Sequence, residues 1–81
     1  MRAKVLYFGP LRQAAGRDAE EVEWSGPATV AGLLDACSAR HPALAAVRAS
    51  LLVAVDRECA RPATVLKGGE EVAVMPPLSG G

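Results

Sequence analysis

The residues with the most to offer chemically stand at the end of the chain, Pro76-Pro77-Leu78-Ser79-Gly80-Gly81. Gly80 and Gly81 carry no side chains, so an enzyme's backbone and a nucleotide can come close to a carboxylate placed there. Pro76 and Pro77 favour an extended form. At about 3.3 Å per residue the segment would reach on the order of 20 Å, enough to enter a narrow channel in another protein. A carboxylate with a reference pKa near ~3.5 is ionised at pH 7 and resists attack by a nucleophile. It must first be activated, usually as an acyl-adenylate. Sulfur transfer to that adenylate would give a thiocarboxylate, a nucleophilic sulfur at neutral pH. The plain alternative is a glycine-ended terminus without function, and the elements upstream have to decide between the two.

The remaining reactive side chains read more quietly. The two cysteines, Cys37 and Cys59, are too few for a zinc site or an iron–sulfur ligand set, and both are expected reduced. Cys37 falls on the apolar face of a predicted helix and reads as core. Cys59 reads as edge-strand, with a sulfur-relay thiol as the alternative. His41 precedes Pro42 and reads as a surface or capping residue, since the sequence fixes no carboxylate beside it for catalysis. Glu20-Glu21 and Glu70-Glu71 read as solvated strand edges that discourage aggregation. Gly68-Gly69 is turn chemistry, and Lys67 is a solvated lysine or a contact for an acidic partner.

Composition sets the frame. With 81 residues the chain is one domain, and 51% hydrophobic content makes it globular rather than disordered. Trp24, Tyr7 and Phe8 are its aromatics, so the core is built from Val, Leu and Ala. The formal net charge of zero gives no electrostatic reason for a nucleic-acid or membrane partner. The apolar run after Met1-Arg2-Ala3-Lys4 is too short for a signal peptide or a spanning helix, and a cytoplasmic protein is expected.

Patterning then supplies the elements. Lys4 to Phe8 reads as a strand, ended by Gly9-Pro10. Leu11 to Ala15 has room for one helical turn, stopped by Gly16. Glu20 to Trp24 is a second strand, completing a long hairpin. Thr29 caps an amphipathic helix over about 30 to 40, with Val30, Leu33, Leu34 and Cys37 at helical spacing. Pro42 ends it or starts a second short helix. Leu51 to Val55 is the most buried-looking strand. Asp56-Arg57-Glu58 turns into a short edge strand over Cys59 to Arg61. Pro62 to Leu66 reads as a loop with a helical turn, and Glu70 to Met75 is the last strand, stopped by Pro76-Pro77. This order gives an α+β fold of the ubiquitin-like β-grasp type: a mixed sheet with one main helix packed on one face and a flexible Gly-Gly tail. The expected division is a domain over 1–75 and a tail over 76–81.

On these segments the chain resembles the MoaD/ThiS family of sulfur carriers along its full length. The carrying residues are Val5-Leu6-Tyr7-Phe8 with Leu11-Arg12 and Gly16, Ala28-Thr29-Val30 with Leu33-Leu34, Leu52 to Val55, and Leu66 to Ala73. Most specific is Pro76-Pro77-Leu78-Ser79-Gly80-Gly81. The double-proline tail resembles the branch that forms the small subunit of molybdopterin synthase more than the thiamine branch. The sequence departs from the family pattern at Asp56, at Gly68-Gly69-Glu70-Glu71 and at Cys59, which is smaller than the apolar residue common there.

The resemblance implies an E1-like, MoeB-like enzyme that adenylates Gly81 with ATP, beside the clearance given by Gly80. It implies a sulfur donor such as a cysteine desulfurase or rhodanese, and no bound cofactor or metal. A MoaE-like large synthase subunit, carrying the catalytic side chains, would receive the tail and pass sulfur to cyclic pyranopterin monophosphate. Phe8, Cys59 and Met75 would form an apolar docking patch around Pro76, Pro77, Leu78 and Ser79, although Phe8 and Met75 also fit a core role. Sulfur delivery for thiamine, cysteine or tRNA thiolation stays open as a second reading. A ubiquitin-like interaction module without sulfur chemistry is a third.

Overall fold

The computed structural model describes residues 1–77. Alternation builds its first strand, β1 (Arg2–Tyr7), in which Ala3, Val5 and Tyr7 are buried while Arg2 and Lys4 stay in water. A short helix, α1 (Leu11–Ala15), leads to β2 (Ala19–Glu23), which pairs antiparallel with β1. Trp24 lies just past the strand and donates its indole N–H to the Pro27 carbonyl at 2.8 Å.

The main helix, α2 (Val30–Arg40), has the bounds its periodicity predicts. Its N-cap is Thr29, whose hydroxyl accepts from the Gly32 amide at 3.1 Å. Val30, Leu33, Leu34 and Cys37 face the sheet and are buried. His41 closes the helix by donating its backbone N–H to the Cys37 carbonyl at 2.9 Å. Pro42 opens α3 (Pro42–Ala45), where its missing N–H costs nothing. A single 3₁₀ turn over Arg48–Ser50 then enters the second half of the sheet.

That half consists of β3 (Leu52–Val55), β4 (Glu58–Ala60) and β5 (Glu71–Met75). Asp56 and Arg57, both at positive φ, make the two-residue turn between β3 and β4. The edge strand therefore starts at Glu58, one residue earlier than its sequence suggests. Between Pro62 and Leu66 the expected helical turn is a hydrogen-bonded turn, Thr64 N–H to Arg61 carbonyl at 2.9 Å, followed by a bridge from Val65 to Thr29.

The sheet order is β2-β1-β5-β3-β4. β1 and β5 are parallel, and the other pairs are antiparallel. One face carries Val5, Val53, Val72 and Val74 against Leu33, Leu44 and Leu66, forming the single core. The other face is uncovered. This corrects the reading of the third strand: only Val53 is buried, and Leu52 is 42% exposed. An uninterrupted apolar run fits a strand covered on both sides, but here the second side is the open face.

Candidate functional site

β5 ends at Met75, with Pro76 and Pro77 beyond it. The backbone register determines which side chains surround that point. Met75 faces Leu52 across the antiparallel β3–β5 pair, and Ala73 faces Ala54. Ala54 in turn faces Cys59 on β4. On the other flank Leu6 lies opposite Ala73 in the parallel pair. Since alternate residues share a face, Leu6, Phe8, Leu52, Ala54, Cys59, Ala73 and Met75 make one apolar surface on the open side of the sheet. Phe8 is 42% exposed, Cys59 is exposed and Met75 is half-buried. Phe8 is therefore not a core residue. An exposed phenylalanine and an exposed leucine on the two flanks of Met75 make the kind of contiguous apolar patch that marks an interaction surface.

A groove of about 690 Å³ opens where β5 leaves the sheet, and it runs from this face toward the helices. Met75, Leu52 and Cys59 line it on the sheet side, and Val30, Leu34 and Leu51 form its apolar depth. The structure thus gathers Cys59 and Met75 around one groove and sets Phe8 on the other flank of Met75. Leu78, Ser79, Gly80 and Gly81, the remaining residues expected at the site, lie outside the described residues. Leu52 belongs to the patch and was not expected there; its signal was its register opposite Met75, which requires the strand pairing. Among the described residues no group of His, Cys, Asp and Glu is arranged to hold a metal ion.

On the covered face the expectation for Glu20 is overturned, while His41 keeps its capping place and gains a partner. Glu20 is not solvated: it is 8% exposed and in phase with buried Val22. His41 does have a carboxylate partner. Its Nε2 lies 2.6 Å from Glu20 Oε2, which also accepts from the Tyr7 hydroxyl at 2.6 Å. Arg40 and Arg17 approach the other oxygen at 3.4 and 3.5 Å. Burial alone would raise the Glu20 carboxyl. The hydrogen bonds from Tyr7 and His41 and the charges of His41 and Arg40 outweigh it and hold the group below its ordinary value. Burial pushes the Tyr7 hydroxyl up, helped by the same carboxylate. This cluster sits between β1, β2 and the α2–α3 junction, behind the sheet from the open apolar face, and it ties those elements together.

A five-stranded mixed sheet grasping one main helix, with its exit strand at the centre, is the ubiquitin-like β-grasp. The chain belongs to the ThiS family, whose model covers residues 5–81. It is 42% identical over 83 residues to the molybdopterin synthase sulfur carrier subunit of Chlamydomonas reinhardtii, with all of both chains covered. Its fold is similar to the crystal structure of SAMP1 from Haloferax volcanii, with a TM-score of 0.84, 31% identity and complete coverage of both chains. A chain in the complex of subunits 1 and 2 of the molybdopterin-converting factor from Helicobacter pylori shares the fold at a TM-score of 0.68 and 21% identity, again with both chains covered in full.

Proposed function

We propose that this chain is the sulfur-carrying small subunit of a molybdopterin synthase. The observation that carries the reading is an exposed apolar face placed around the exit of the central strand, on a chain alike over its full length to named sulfur carrier subunits. The carboxylate of Gly81 attacks the α-phosphorus of ATP on an E1-like enzyme, giving the acyl-adenylate and releasing pyrophosphate. The terminal sulfur of a persulfide donor, a cysteine desulfurase or a rhodanese, then displaces AMP to give an acyl disulfide. A second thiol attacks the donor's sulfur, forming a disulfide there and releasing the thiocarboxylate. Gly80 keeps the approach to that carbonyl clear.

A MoaE-like large subunit binds the open face. Phe8 and Met75 supply its anchoring contacts, with Cys59 a smaller neighbour, and Pro76, Pro77, Leu78 and Ser79 carry the thiocarboxylate inward. Sulfur passes there to cyclic pyranopterin monophosphate under catalytic side chains that belong to the partner. This chain brings no cofactor of its own, and ATP is consumed by the activating enzyme. The setting that suits an ATP-dependent thiol chemistry is the cytoplasm. No helix among the described residues is long and apolar enough to cross a membrane.

Intact mass of the protein recovered from its own cells tests the proposal. A species heavier by one oxygen-to-sulfur exchange, absent when Gly81 is deleted, is expected. Co-purification with a large synthase subunit, and loss of molybdoenzyme activity on deletion of the gene, assign the pathway; loss of thiamine synthesis instead would reassign it. Covalent conjugates to other proteins with no thiocarboxylate at all would make the chain a modifier.

A further inference from the structure

β1 and β5 run parallel and leave the sheet at the same end. Their register sets Tyr7 beside Val74, so Phe8-Gly9 and Met75-Pro76 continue side by side beyond the last paired rung. The Phe8 N–H donates to the Val74 carbonyl at 3.1 Å. Pro76 has no N–H with which to continue the ladder, so packing must set the chain's direction there. The packing partner is Gly9. A Cβ built on Gly9 would stand 3.4 Å from Pro76 Cγ and 3.7 Å from Cδ. The pyrrolidine ring therefore lies over the Gly9 α-carbon at a distance that one added carbon would fill at ordinary van der Waals contact.

The conformation of Gly9 belongs to the same arrangement. Its φ of +60° and the φ of −64° at Pro10 occupy the corners of a turn closed by the Leu11 N–H on the Phe8 carbonyl at 3.2 Å. Positive φ at the first corner followed by negative φ at the second is the type II′ pattern, which favours glycine at the first. The turn is anchored at its far side by Leu11, which is buried in the core. It is thus a fixed wall, and the ring of Pro76 leans on it.

We infer that Gly9 is a positioning residue: its bare α-carbon seats the Pro76 ring and so fixes the direction in which the chain leaves the sheet relative to Phe8. This rests on the carrier reading, because the direction matters only if a partner must take up the Phe8 surface and the tail together. Holding Phe8 and Pro76 at one angle lowers the ordering cost of docking. Pro76 then has two roles, ending the ladder and presenting a rigid ring to the seat.

The test uses the full chain. Nuclear Overhauser cross-peaks between the Gly9 α-protons and the Pro76 ring protons are expected, and their absence overturns the inference. Thiocarboxylated wild type, Gly9→Asn, Pro76→Ala and the double variant are then compared for kcat/KM with the large subunit, with Tm recorded for each. Asn tolerates positive φ and adds an amide beyond the Cβ that already meets the ring. Gly9→Asn should lower kcat/KM about tenfold or more, out of proportion to a shift in Tm of a few degrees. The double variant should perform like Pro76→Ala alone, since without the ring the Asn has nothing to displace. Wild-type kcat/KM in Gly9→Asn, or losses that simply multiply in the double variant, would overturn the seat. Should Gly9→Asn fail to fold, the wild-type cross-peaks decide. If the wild type itself never accepts sulfur, the carrier reading fails, and the cross-peaks still judge the contact.

Discussion

Glu20 Oε2 and His41 Nε2 lie 2.6 Å apart, joining residues separated by 21 positions in the chain. With the Tyr7 hydroxyl on the same oxygen, the pair links an edge strand, the neighbouring strand and the end of the main helix through one buried carboxylate. A buried charge is tolerable only when it is paired and hydrogen-bonded, and Glu20 is both. Its second oxygen has no hydrogen-bond donor among the described residues but lies near two guanidinium groups.

Removing that carboxylate takes the acceptor from the buried Tyr7 hydroxyl and the half-buried His41. Glu20→Ala is expected to cost about 2–3 kcal/mol in chemical denaturation, while Glu20→Gln, which still accepts a hydrogen bond, costs less. The pH dependence separates charge from shape. Because the folded carboxyl titrates below its ordinary value, its stabilisation is whole above the unfolded pKa and fades as pH falls through the folded one. Wild type should lose stability from about pH 5 downward. Glu20→Gln should lose less over the same range, and parallel acid limbs would remove Glu20 from the account.

Phe8 offers the opposite experiment. Its exposure means that Phe8→Asp removes little folded-state packing, and Tm should move by no more than a surface substitution usually causes, about 0.5 kcal/mol in stability. Binding to the large subunit should weaken about tenfold or more, measured by calorimetry. Unchanged affinity would take Phe8 out of the docking surface.

The two thiols should separate cleanly. Cys59 is exposed, while Cys37 is 2% exposed and burial pushes its thiol up to about 11. Alkylation of native protein near neutral pH should label Cys59 within minutes and leave Cys37 untouched until the chain is unfolded. Mass spectrometry of the labelled peptides reads this directly. Rapid native labelling of Cys37 would mean that the core opens far more readily than its packing implies.

Gly32 reverses a general rule. Glycine to alanine inside a helix ordinarily gains about 1 kcal/mol. Here an added Cβ would overlap the Pro27 carbonyl oxygen and stand 3.1 Å from Trp24 Nε1, the donor to that same carbonyl. Gly32→Ala is expected to destabilise by about 1–3 kcal/mol through overpacking, seen as a lower denaturation midpoint with the Trp24 fluorescence changed.

The contrast between these residues shows what the sequence made legible. The main helix is legible to its ends because Thr29, the 3–4 spacing of its apolar residues and Pro42 are local signals. For Glu20 residue type argues for water while phase with Val22 argues for the core, and the adjacent Glu21 masks the phase. The partnership of His41 depends on where β2 comes to rest against the end of α2, which no local pattern encodes. Leu52 and the contact of Gly9 with Pro76 follow from strand register, and register exists only once β5 has paired on both sides. The apolar and capping signals of the fold were therefore readable, whereas the surface around the exit point required the assembled sheet.

The place of β5 at the middle of the sheet has a consequence for quality control. A chain broken off before residue 71 would hold a β1–β2 hairpin and a β3–β4 hairpin with nothing to join them. It would leave the inner edges of both without a partner strand. On the proposed carrier reading, a large subunit that docks on the sheet is expected to bind only chains in which β5 has been made, since the docking face is built around that strand.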